Sequence, residues 1–112
     1  MKEYKVYQVK VTTEENAKIN VDGWGAFDWC KDFLDNSWKP TVDTYNALVS
    51  RFEHVGNIIA SNLEECFVIS NTYQEERIVK LARMHSLSIG DVLEEPTGER
   101  FIVEPHGFLR VA

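Results

Sequence analysis

Cysteine is almost missing from this chain, at Cys30 and Cys66 only, too few for a disulfide framework. A secreted scaffold of this length would carry several bridges at regular intervals. Two isolated thiols inside apolar runs read as small core residues, with a disulfide or a reactive thiol as the alternatives. Proline is as scarce, at three residues, and glycine stands at six; no linker, repeat or low-complexity tract is signalled. No apolar run approaches the roughly 18 residues that cross a bilayer. Met1-Lys2-Glu3-Tyr4 leads straight into a strand pattern instead of a signal peptide, so the expected location is cytoplasmic, with no membrane partner. Clustered cations are also lacking. The 12 Lys and Arg are scattered among 18 Asp and Glu, for a net charge of −6. Phosphate backbones reward clustered positive charge, so duplex nucleic acid is disfavoured, and the acids are too dilute for a mimic of DNA.

What is present is apolar surface. The 112 residues are 44% hydrophobic and include three Trp, four Tyr and six Phe. That suffices for one core without metals or bridges, in a single domain over residues 1–112. Lys5 to Val11 alternates with period two, placing Tyr7, Val9 and Val11 on the buried face of a strand and Gln8 and Lys10 outside. Thr12 to Asn20 is polar and reads as a loop or frayed turn. Val21-Asp22-Gly23-Trp24-Gly25 is a turn that opens a helix, capped by Asp22 or Gly23, with Ala26, Phe27, Cys30, Phe33 and Leu34 on one stripe. Asn36, Ser37 and Pro40 end it.

Thr41 is the N-cap of a second helix that buries Tyr45, Leu48, Val49 and Phe52. Val55 to Ala60 reads as a short strand. Ser61 or Asn62 caps a third helical stretch with Leu63, Cys66, Phe67 and Ile69 inward. Asn71 to Glu76 is a turn, and Ile78 to Ala82 a short apolar connector. Turns at Ser88–Asp91, Pro96–Gly98 and Pro105–Gly107 then separate three short strands, an antiparallel meander. Strand, two to three helices and meander give an α+β fold class.

The residues that carry chemistry do not assemble into a reaction. Gly23-Trp24-Gly25 lacks the third glycine of a dinucleotide loop; Asp28 stands there, and its charge would repel a pyrophosphate. His54, His85 and His106 have no metal-ligand spacing, and nothing marks a Ser–His pair between Ser86 or Ser88 and His85 or His106. No catalytic residue, metal or cofactor is expected. The candidate surface is a protein-binding one. Trp24 in a turn and Trp38 in a loop need partners, and tryptophan is a frequent interface anchor. Glu64, Glu65, Glu94 and Glu95 belong to the more acidic half: residues 57–112 hold five basic and nine acidic side chains, against seven and nine in residues 1–56.

Leu63-Glu64-Glu65-Cys66-Phe67, Ser70-Asn71, Met84-His85-Ser86-Leu87-Ser88-Ile89-Gly90-Asp91-Val92, Gly98, Val103 and Gly107-Phe108 form an ordered pattern. It resembles the small uncharacterised accessory proteins of tailed bacteriophages, including phages of cyanobacteria, and the C-terminal half resembles the YodL-like domain of mobile-element proteins. The likeness covers roughly residues 54–111, with the first strand besides; Cys66 replaces an expected β-branched residue and Ile89 a valine. It implies a phage or mobile-element accessory protein in a host cytoplasm and brings no catalytic residue with it. Read physically, Ser86, Ser88, Gly90 and Asp91 shape a turn, the alternative being a segment that frames a binding groove.

Three functions follow as expectations. The first is a non-enzymatic protein that binds and modulates a host protein, with a homodimer formed through an exposed apolar face. The second is a nucleic-acid module that would need Lys80, Arg83, Arg100 and Arg110 to converge with Phe101 or Tyr73. The third, a small hydrolase, would need Ser86 or Ser88 to meet His85 or His106 in one pocket.

Overall fold

In the computed structural model, which describes residues 1–72 and 74–112, the chain folds as α+β with four α-helices and one six-stranded sheet. The order is β1 (Lys2–Val9), α1 (Thr13–Asp22), α2 (Trp29–Trp38), α3 (Val42–Leu48), β2 (Phe52–Ala60), α4 (Leu63–Asn71), β3 (Ile78–Lys80), β4 (Val92–Glu94), β5 (Arg100–Glu104) and β6 (Gly107–Arg110). The strands lie in the order β3-β2-β1-β4-β5-β6, and every neighbouring pair is antiparallel. The C-terminal strands therefore pair as a meander, but they are half of a larger sheet. β1 joins that meander to the β2–β3 half. No helix among the described residues is long and apolar enough to cross a membrane.

Alternation decides which side chains enter which core. On β1 the fully buried face is Tyr4, Val6 and Gln8, while Tyr7 and Val9 are only half-buried. The reading that put Gln8 outside has the parity reversed, because both faces of this central strand are covered and the outer one less deeply. Tyr4 and Val6 join Val55, Ile58, Cys66, Ile69, Leu87 and Leu93 in the larger core, which α4 covers. Tyr7 lies on the opposite face, with Tyr45, Val92 and Ile102. Both cysteines are free and buried. Burial, with Glu65 adding to it, pushes the Cys66 thiol up to about 12.

Several local expectations change. Thr12 to Asn20 is not a loop but most of α1. Thr12 accepts from the Glu15 amide at 3.1 Å, and Glu15 Oε1 accepts from the Thr12 amide at 2.9 Å. That reciprocal cap nucleates the polar helix. α2 starts three residues later than its stripe suggested and runs on through Asn36 and Ser37. Val49 is exposed and Phe52 opens β2 instead of closing a helix, while Phe67 and Leu34 face solvent. The Ile78–Val79 connector is an edge strand paired to β2. Thr41 caps α3 and Asn62 caps α4 as expected, through bonds to the Thr44 and Glu65 amides.

Candidate functional site

The segment between β3 and β4 carries the Met84–Val92 pattern, and three elements hold it. Gln8 reaches from the buried face of β1. Its Nε2 donates to the His85 carbonyl at 2.9 Å and to Asp91 Oδ2 at 3.1 Å, and its Oε1 accepts from the His85 amide at 3.2 Å. Ser70 of α4 accepts from the Leu87 amide at 2.7 Å. Asn36 of α2, 1% exposed, donates from Nδ2 to the Gly90 carbonyl at 3.0 Å and accepts from the Thr44 hydroxyl at 2.9 Å. A buried amide is tolerated only when it is bonded in this way.

The turn itself is built by the serine, glycine and aspartate. Asp91 Oδ2 accepts from the Ser88 amide at 2.9 Å, and the Asp91 amide donates back to the Ser88 carbonyl at 3.1 Å. Gly90 has φ +95°, a region that side chains other than glycine's avoid. Ser88 Oγ donates to the Ser86 carbonyl at 3.1 Å. These residues shape the backbone, as the sequence suggested, yet they also border a groove of about 370 Å³ with Val9, Phe33, Asn36 and His85. A second groove of about 640 Å³ shares Val9, Phe33 and His85 with it and adds Asn16, Glu53 and Arg83.

Electrostatically the groove holds one unusual group. Burial raises the Asp91 carboxyl to about 6, against the opposing pull of the Ser88 amide, of His85 and of the Gln8 amide. His85 Nδ1 lies 3.8 Å from Asp91 Oδ2, too far for a hydrogen bond, and 2.7 Å from the Ser86 carbonyl. Neither Ser86 nor Ser88 bonds a histidine nitrogen through its hydroxyl among the described residues. His106 lies in the β5–β6 turn, and His54 stacks on Tyr7 and contacts Asn57 Oδ1 at 2.7 Å. No three His, Cys, Asp or Glu side chains gather as a metal site would require, among the described residues.

The six candidate binding residues differ in their settings. Trp24 is half-exposed and stacked on Phe33 with ring centroids 5.9 Å apart, while Trp38, at the end of α2 and not in a loop, is 80% exposed. Leu34 lies one turn before it and is exposed too. Glu64 and Glu95 line one groove of about 360 Å³ together with Lys2, Tyr4 and Phe108. Glu65 and Glu94 are engaged within the chain, by Arg77 at 2.9 Å and by Arg100 at 2.9 Å, with Lys5 at 3.7 Å from Glu94.

The four cations of the nucleic-acid reading are spread out. Lys80 on β3 and Arg110 on β6 occupy opposite edges of the sheet, roughly 24 Å apart at about 4.8 Å per strand. Lys80, Arg100 and Arg110 each lie beside a carboxylate. Tyr73, one of its two aromatics, lies outside the described residues.

Sequence reasoning missed the lock between α1 and α2. Glu15 takes Arg51 through both oxygens at 2.7 and 2.8 Å, and the Arg51 guanidinium lies 3.9 Å over the Trp29 ring. The Thr12 amide first, and Arg51 after it, hold the Glu15 carboxyl below its ordinary value. The Thr-x-x-Glu spacing at residues 12–15 was the available signal. Nothing local marked Arg51.

Comparison of the chain with protein-family models, with curated proteins and with solved structures returned no match.

Proposed function

We infer that this domain is a non-enzymatic accessory protein, of the kind carried by phages and mobile elements, that binds a host protein through α2. The observation that carries this reading is the pair Leu34 and Trp38. They stand four residues apart, hence on one side of the helix, and both expose large apolar side chains, Trp38 by 80%. Val42 and Trp24 extend the exposed apolar surface on either side in sequence. Large aromatics on a rigid helix supply contact area at little entropic cost, which is why tryptophan concentrates at interfaces. The Met84–Val92 segment supports the site from below, since Asn36 ties α2 to the Gly90 turn. The resemblance to phage and mobile-element proteins supplies the expectation that the partner belongs to a host.

The experiment is quantitative affinity capture from host lysate with wild type, Trp38→Ala and Leu34→Ala/Trp38→Ala. A partner retained by wild type and depleted at least tenfold by the double variant supports the reading, provided the variants melt within a few degrees of wild type. Retention by all three overturns it.

A further inference from the structure

We propose that β6 is the seam of a homodimer, in which two copies join their sheets edge to edge about a two-fold axis at Leu109. The two edges of the sheet are unlike. β3 is three residues long and ends in Lys80, both of which discourage strand addition. β6 reads Gly-Phe-Leu-Arg, with no lysine, proline or bulge.

The register of the β5–β6 hairpin shows which of its backbone groups are free. Glu104 pairs with Gly107 across the two-residue turn, and Ile102 pairs with Leu109. In an antiparallel hairpin with a two-residue turn, hydrogen-bonded and open pairs alternate from the closing pair. Gly107 and Leu109 therefore bond inward to β5. Val111 continues the alternation, with its amide on the Arg100 carbonyl at 2.9 Å. The amides and carbonyls of Phe108 and Arg110 point away from the sheet.

These two residues flank Leu109 symmetrically, so the strand is its own complement. Turned about an axis through Leu109, Phe108 meets Arg110 of the second copy and all four outward groups at each edge are used. The other two-fold registers are poorer. One sets Arg110 against Arg110, and the other sets the His106 turn against a strand.

The side chains agree with that register. Phe108 and Glu64 line the same groove of about 350 Å³, together with Phe67, Val68 and Val103, and Phe67 and Val68 are exposed. An arginine placed opposite Phe108 exchanges its exposed contact with Glu99 at 3.4 Å for that groove beside Glu64, giving a cation–π contact and an ion pair twice over. A second copy thus supplies both the apolar cover and the positive charge that this acidic groove lacks.

Sedimentation over a concentration series, combined with single-cysteine crosslinking, tests the register. In an open antiparallel pair the Cα atoms lie about 4.5 Å apart, within disulfide reach, so Leu109→Cys gives a covalent dimer on mild oxidation and Arg110→Cys does not. Arg110→Pro removes an amide that faces away from β5 and weakens association at least tenfold while leaving the hairpin bonds in place. Arg110→Glu weakens it as well, and Glu64→Arg in the same chain restores it. A wild type that stays monomeric at millimolar concentration overturns the proposal, as does a dimer that crosslinks equally through both cysteines or ignores Arg110→Pro.

Discussion

Replacing Gly90 by alanine tests the support beneath the Met84–Val92 segment more sharply than any other single change. Two costs combine there. The residue sits at φ +95°, and holding an L-residue in left-handed backbone costs about 1–2 kcal/mol. In addition, the new Cβ would stand 2.7 Å from Asn36 Nδ2 and 2.8 Å from the Asn36 carbonyl oxygen. The first contact is the donor that satisfies the Gly90 carbonyl, and losing a buried partner costs about 1–3 kcal/mol. The second is helix backbone and cannot swing aside. The sum is about 2–5 kcal/mol, a large share of the roughly 5–15 kcal/mol that keeps a small domain folded, and a melting temperature lower by roughly 10–25 °C. Gly98 supplies the control. Its φ of +91° is nearly the same, and nothing lies within 4 Å of a Cβ added there, so Gly98→Ala carries the backbone cost alone, about 1–2 kcal/mol. Urea titrations followed by tryptophan fluorescence and far-ultraviolet dichroism give the difference between the two variants. If Gly90→Ala and Gly98→Ala agree within about 0.5 kcal/mol, the Asn36–Gly90 contact does not anchor the segment and the reasoning fails.

Asp91 makes stability depend on pH in an uncommon direction. Its carboxyl is raised to about 6 in the fold against about 3.9 in an unfolded chain, so the folded state holds the proton more tightly. The contribution is complete below about pH 4 and is lost as pH rises through about 6, amounting to about 3 kcal/mol. The melting difference between wild type and Asp91→Asn should therefore vary between pH 4 and 7 and level off beyond. A flat difference would show the carboxylate to be solvated. Glu15 acts the other way, because its lowered value gives stability that is lost as pH falls. Gln8→Leu strands the His85 amide and carbonyl and Asp91 Oδ2, and should destabilise by about 2–4 kcal/mol in the same urea assay; a loss below about 0.5 kcal/mol would mean that water replaces the amide. Thr12→Ala removes the α1 cap and should cost about 1 kcal/mol, with amide exchange accelerated within residues 13–22; unchanged exchange there would refute the capping argument.

How much of this was legible beforehand differs from residue to residue. The caps at Thr41 and Asn62 and the glycine-bearing turns before β4, β5 and β6 are local devices, in which a side chain or a positive φ acts on backbone a few residues away. They could be read directly. The cap at Thr12 was equally local and was overlooked because the helix it opens is polar, and periodicity has little to detect there. Gln8 and Asn36 were misread for the opposite reason. Each is polar by type, and only partners 77 and 54 residues away make its burial tolerable.

The sequence by itself determined the α+β class, the core role of both cysteines and the turn chemistry around Gly90 and Asp91. All of these follow from composition or from interactions spanning a few residues. Tertiary structure alone decided that β1 lies at the centre of six strands, and so which face of it is buried. It also decided that Asn36 and Gln8 hold the Asp91 turn, that Leu34 and Trp38 face solvent together, and that β6 is left as an open edge. Those outcomes rest on strand order and on contacts between distant segments, and a one-dimensional pattern of polar and apolar residues does not encode which strand becomes whose neighbour.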